Sequence, residues 1–138
     1  ELLRRGHTVR ALVRSRDKAR EVLPGATAGT PGTLELVAGD ALDGAAPREL
    51  VRGCDACVHL IGIIRQAPGG ISFQQAHPGT TRAMLEACKH AGVERYVHMS
   101  ALGVGPEGKS KYQKTKWEAE QLVRASGLSW TIFRPGLI

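Results

Sequence analysis

Lys111–Gly136 reads KYQKTKWEAEQLVRASGLSWTIFRPG. Its first part belongs to a long helix, expected over Ser110–Ser126, that Gly127 closes. Ser129–Phe133 then reads as a strand, and Arg134-Pro135-Gly136 turns the chain out of it. Within the helix, Tyr112 and Lys116 are four apart and share one face. Ala119 and Val123 continue that stripe, so the face is expected to look inward at a sheet.

The same unit recurs upstream. Strands are expected at Thr8–Arg14, Thr33–Ala38, Asp55–Ile63 and Arg95–Ala101. The unbroken apolar stretch in Asp55–Ile63 predicts burial on both faces. Between the strands lie a short helix that Ser15 caps and that runs through Val22, a loop over Pro24–Gly32, a helix over Pro47–Arg52, and a long one over Ile71–Ala91. Ala83, Met84, Ala87, Cys88 and Ala91 fall on one face of that helix, and Gly92 stands where a left-handed cap is needed. Strands alternating with helices through short connections imply parallel pairing. The fold class is therefore α/β, a Rossmann-like doubly wound parallel sheet, with residues 1–138 forming one partial domain.

Composition narrows the function. The chain has 138 residues and a net charge of +6, with 42% hydrophobic and 23% charged residues. These values exclude a disordered tail, a collagen-like repeat and a coiled coil. No apolar run approaches the roughly 18 residues of a membrane span. Seven basic residues against two acidic ones occupy the first twenty positions. Such a surface attracts phosphate or an anionic membrane, or is simply a solvated face. Nucleic acid is not expected, because aromatics make up only 4% of the chain and no basic stretch interleaves with them. Cys54, Cys57 and Cys88 are too few for a disulfide framework and point to a reducing compartment. Cys54 and Cys57 form a CxxC, but it runs into a strand rather than a helix start, and no second pair completes a zinc site. Cys57 and Cys88 read as small core residues, and no metal site is expected. Glu1 begins within an amphipathic pattern and Leu137-Ile138 ends within an apolar one, so the sequence reads as a piece of a larger fold.

Ligands of open parallel sheets lie beyond the carboxyl ends of the strands. Arg14, Gly39-Asp40, Ile61-Gly62-Ile63, Ser100-Ala101 and Arg134-Pro135 fall there. A lysine beside a tyrosine favours the phenolate, so Lys116 is expected to lower the Tyr112 pKa toward working pH and fit it for proton transfer. A helix-surface pair is the plainer alternative.

Together, YxxxK after a strand ending in serine, Gly-Asp after an earlier strand and a last strand entering Arg-Pro-Gly resemble the short-chain dehydrogenase/reductase superfamily. HLIGIIR (His59–Arg65), GTTRAMLEACKHAGVERYVHMSALG (Gly79–Gly103) and the opening stretch are similar to its extended and atypical branch. Relatives of the nucleotide-binding accessory subunit of respiratory complex I are nearest, and NmrA-like and epimerase-like proteins come next. The resemblance implies an NAD(P)(H)-binding oxidoreductase or epimerase-like enzyme acting on an unidentified small molecule, with a non-catalytic accessory or assembly subunit as the alternative. It implies a cytoplasmic protein, with peripheral association at the inner membrane left open.

The family's first strand and glycine-rich loop would lie upstream of Glu1, with residues 1–5 as the last turns of the helix after them. Tyr112 would be the acid/base, Lys116 its partner and ribose ligand, and Ser100 the orienting hydroxyl, although the family's serine position falls on Ala101. Asp40 would hydrogen-bond the adenine amino group, Gly62 and Ile63 would let the ribose lie against the third strand end, Pro135 and its neighbours would flank the nicotinamide, and Ala41, Leu60 and Ile61 would also contact the cofactor. His77 stands where the family often has asparagine, and reads as a buried hydrogen-bonding histidine rather than a general base. Arg14, Ser15 and Arg16, with no acid before Asp17, predict NADP(H) in preference to NAD(H), which remains possible.

Overall fold

The computed structural model describes residues 1–23 and 31–136. A single 3₁₀ turn, Leu3–Arg5, ends at Gly6, whose φ of 82° puts it in the left-handed region. The elements then run β1 (Thr8–Val13), α1 (Arg16–Val22), β2 (Thr33–Ala38), α2 (Ala45–Val51), β3 (Ala56–His59), α3 (Thr80–Ala91), β4 (Arg95–Met99), α4 (Lys111–Arg124) and β5 (Ser129–Phe133). All the strands expected from the sequence are present, and every strand pair is parallel. Most of the loop expected over Pro24–Gly32 lies outside the described residues.

The five strands form two pieces rather than one sheet. β1 pairs with β2, and β3, β4 and β5 pair in that order. β1 and β3 do not pair, and the break falls where the doubly wound order 3-2-1-4-5-6 has its first strand. α2 bridges the pieces, packing on β1, β2 and α3. Arg10 of β1 fastens this joint, donating through Nη1 to the carbonyls of Glu49, Leu50 and Arg52 at 2.8, 3.1 and 2.9 Å. Carbonyls at a helix C-terminus lack intrahelical partners, and a cation is favoured there.

β3 is shorter than expected and alternates exposed and buried residues, with Val58 51% exposed. The expectation of burial on both faces fails here because, among the described residues, only one face of this strand is covered. Cys57, Tyr96, Met84, Leu85, Cys88 and Val123 form its core. Cys57 and Cys88 are core residues as expected, and both are free thiols, as is Cys54.

The helix expected over Ile71–Ala91 opens instead near Phe73 with a π-helical turn over Gln75–Gly79. Pro78 lies inside that turn and has no N–H to donate, which a regular ladder would require. Gly92 caps α3 in the left-handed region as expected, with φ 72°, while Ala91 is exposed. Ser110 caps α4 in a capping box with Gln113.

Candidate functional site

Parallel registers bring the strand ends to a common edge within each piece. The ladders continue past them, with Gly39 N–H donating to Val13 O (3.0 Å), Ser100 N–H to Phe133 O (2.7 Å) and Leu102 N–H to Pro135 O (2.8 Å). The capping box starts α4 beside this edge. Tyr112 is half-buried in its first turn, and Lys116, Ala119 and Val123 are buried beneath it.

Lys116 is only 4% exposed and donates to Met99 O at 2.8 Å. Burial pushes its pKa below the ordinary lysine value, and Glu120 one turn on acts in the opposite sense. A Cβ on Gly62 would stand 3.1 Å from Lys116 Nζ, so the loop after β3 closes directly over the ammonium. Gly62 and Lys116, assigned separately from the sequence, therefore meet.

Tyr112 corrects one expectation. Burial raises its pKa, and Lys116, held by Met99 O, does not lower it. The ring packs edge-on against His77 (centroids 5.3 Å, interplanar 88°) and Phe73 (6.0 Å, 77°). Ser100 is buried, at the end of the face of β4 that carries Tyr96 and His98, and its Oγ has no hydrogen-bond partner among the described residues, Tyr112 included.

Glu120 is fully buried and takes a two-pronged bond from Arg134, Nε to Oε1 at 2.8 Å and Nη2 to Oε2 at 2.5 Å. Burial opposes its charge. The Arg134 bonds and the charges of Arg134 and Arg124 outweigh that and hold the carboxyl below its ordinary range. The ion pair fixes the turn before Pro135 to α4.

The cofactor candidates are placed as follows. Arg14 and Arg16 are exposed and bond no other described residue; Ser15 caps α1, accepting from Lys18 N at 3.4 Å. Asp40 is exposed and one carboxylate oxygen accepts Leu42 N–H at 2.8 Å, a turn role that the residue pair performs unaided. Ala41 is buried, Leu60 is exposed, and Ile61 and Pro135 are half-buried.

A second buried polar group was not expected from the sequence. His59 and His98 sit opposite each other in the β3–β4 register, with Nδ1 to Nδ1 at 3.1 Å. Thr80 Oγ1 donates to Ala76 O at 2.7 Å, which leaves it to accept from His59 Nε2 at 3.2 Å. His98 Nδ1–H then donates to His59, and His98 Nε2 is left without a partner among the described residues. Burial lowers the pKa of His59 to about 3, helped by His98, Lys116 and His77, and that of His98 to about 4, helped by Lys116 and His77 and opposed by Glu120. Both rings are neutral near pH 7. The signal was available in two histidines at alternating inward positions, but parallel register cannot be counted from sequence alone. Among the described residues no cluster of three His, Cys, Asp or Glu is placed to hold a metal, and no helix is long and apolar enough to cross a membrane.

Over residues 1–138 the chain matches the family described as NAD(P)H-binding. It is 30% identical to the 4-hydroxy-2-methyl-3-oxo-4-farnesyl-3,4-dihydroquinoline-1-oxide ketoreductase of Stigmatella aurantiaca, an alignment covering 99% of this chain and 45% of that protein. It is 31% identical to the mouse mitochondrial NADH dehydrogenase [ubiquinone] 1 alpha subcomplex subunit 9, over 78% of this chain and 28% of that one. Among solved structures, Bordetella bronchiseptica WbmH in complex with NAD+ superposes with a TM-score of 0.76 at 24% identity, covering 96% of this chain and 48% of the other. The chain thus spans less than half the length of each of these proteins, and the likeness to WbmH speaks to fold.

Proposed function

We propose that this chain, which belongs to the NAD(P)H-binding family within the extended short-chain dehydrogenase/reductase superfamily, supplies the dinucleotide site and acid/base pair of a carbonyl reductase or epimerase-like enzyme. The observation that carries the reading is Lys116 Nζ, buried one turn below Tyr112 and closed over by Gly62 at the carboxyl end of the sheet. Bound there, a nicotinamide dinucleotide supplies or accepts a hydride.

The chain's own residues do the rest. Lys116 spends one of its three N–H donors on Met99 O and keeps two for a ribose hydroxyl. Gly62 lets the ribose approach where any side chain would crowd the ammonium. Tyr112 passes a proton to or from the substrate oxygen. Its raised pKa keeps it protonated near neutrality, which suits it to act as the acid when a carbonyl is reduced. Arg14, exposed and with no bond to another described residue, is available to a 2′-phosphate, which favours NADP(H). Titrating NADPH and NADH into the intact protein tests this: NADPH should bind at least about tenfold tighter, and Arg14→Ala should erase the difference. Equal affinities would remove the NADP(H) assignment.

One observation favours a second reading, a dinucleotide-binding accessory subunit without turnover. The Ser100 hydroxyl is buried and bonds no described residue, Tyr112 included. Oxidation of bound NADPH on adding carbonyl or quinone substrates separates the two readings.

A further inference from the structure

His77 lies in the π-helical turn, 1% exposed, between two segments that the chain brings together from opposite sides. On one side its Nδ1 is 2.8 Å from Thr115 Oγ1 on α4. On the other its Nε2 meets both backbone groups of Ile63, the N at 3.3 Å and the O at 3.1 Å. Phe73 stacks on one face of the ring at 5.5 Å, and Tyr112 meets it edge-on. A Cβ on Gly62 would be 3.7 Å from His77 Cδ2. The imidazole therefore touches the loop that covers Lys116 and the helix turn that carries Tyr112.

We propose that His77 is a positioning residue that fixes the Gly62–Ile63 loop against the Tyr112–Lys116 turn of α4, and so sets the width of the dinucleotide site; this rests on the function proposed above. The chemistry fits a neutral imidazole protonated on Nδ1, because Thr115 Oγ1 donates to a backbone carbonyl and is left to accept. With the proton on Nδ1, the ring donates to Thr115 Oγ1, whose own proton goes to Lys111 O or Tyr112 O at 2.9 and 3.1 Å, and Nε2 accepts Ile63 N–H. A neutral imidazole carries one donor and one acceptor, and both are satisfied here. Pro78, inside the π-helical turn, donates no ladder bond, and the ring of His77 seats between the loop and α4. Burial and the Lys116 charge lower the His77 pKa to about 4, so the ring is neutral when it does this.

The test compares three variants of the full chain. His77→Phe keeps the aromatic packing and removes both polar contacts. His77→Gln places an amide near the Nε2 position, and His77→Asn places one near Nδ1. Hydrogen exchange at the Ile63 amide is read without any dinucleotide, and NADPH is then titrated. Exchange at Ile63 should quicken at least tenfold in His77→Phe and His77→Asn and stay within about threefold of the parent in His77→Gln. NADPH affinity should fall about tenfold in His77→Phe and recover in His77→Gln. Should His77→Phe fail to fold, Thr115→Val cuts the other end of the contact and should weaken NADPH binding similarly, whereas Thr115→Ser should not. Unchanged Ile63 exchange in His77→Phe, or faster exchange with unaltered NADPH affinity, overturns the proposal. A parent that binds no NADPH refutes the proposed function instead, and the exchange result still decides whether His77 holds the loop.

Discussion

Replacing Glu120 by Gln isolates the charge that joins α4 to the turn after β5. The amide has the carboxylate's shape, and Glu120 is fully buried, so packing is held constant. What changes is the pair of bonds from Arg134 at 2.8 and 2.5 Å: one Gln end still accepts, and the other presents a donor to a donor. Bonds to charged groups contribute about 1.5–3 kcal/mol each. Arg134 is 37% exposed and regains water, so the full cost of a stranded buried charge is not reached. A loss of about 2 kcal/mol follows, or roughly 6–10 °C in Tm for a chain of this length. Arg134→Met should be worse, about 3 kcal/mol, because it strands the fully buried partner. The folded carboxyl titrates below its ordinary 4.5, so its contribution is present above that pH and is lost as pH falls through the folded value. Thermal and urea unfolding of both variants and the double variant, at pH 7 and near pH 3.5, measure all of this. The argument fails if Glu120→Gln stays within about 0.5 kcal/mol of the parent. It also fails if the deficit persists undiminished at low pH.

Three further outcomes are expected. Tyr112→Phe should lower turnover about 10²–10⁴-fold with little change in dinucleotide affinity; steady-state rates beside a binding titration check it, and an unchanged rate removes Tyr112 from the mechanism. Arg14→Ala should weaken NADPH and leave NADH binding as it was, read by nicotinamide fluorescence; equal losses for both would count against a 2′-phosphate contact. His59 and His98 should show no protonation between pH 5 and 8 by nitrogen NMR, since their folded values lie at about 3 and 4. Because those values are depressed, the two rings support stability above the ordinary histidine pKa of 6.5 and withdraw it progressively as pH falls below it, which unfolding at pH 7.5 and pH 5 would record.

The strands, α4 and Gly92 were legible because each rests on local rules. Thr33–Ala38 and Ser129–Phe133 are β-rich runs bounded by glycine or turns, and both appear with the expected bounds. Gly92 has the positive φ that a C-cap needs. What failed depended on neighbours distant in sequence. The apolar run through Val58 and Leu60 looked buried on both faces, yet burial of a strand depends on what packs on it, and both residues are exposed. The π-helical turn could not be counted either, because Pro78 permits several local solutions and the contacts of His77 select one.

The Tyr112–Lys116 pair shows where spacing stops and geometry begins. Four-residue spacing puts both on one face, and that much was legible. It does not say where the ammonium points. Lys116 is drawn inward by the carbonyl of Met99, and Gly62 closes the space above it. The phenol is consequently governed by burial rather than by the lysine, and its pKa moves opposite to expectation. The elements that decide this arrangement are His77, Glu120 and Arg134, none of which belongs to the YxxxK pattern. In the proposed function the motif names the groups that carry a proton and a ribose. Residues outside it hold those groups in place: His77 bonds the loop to α4, and Glu120 with Arg134 bonds α4 to the turn before Pro135.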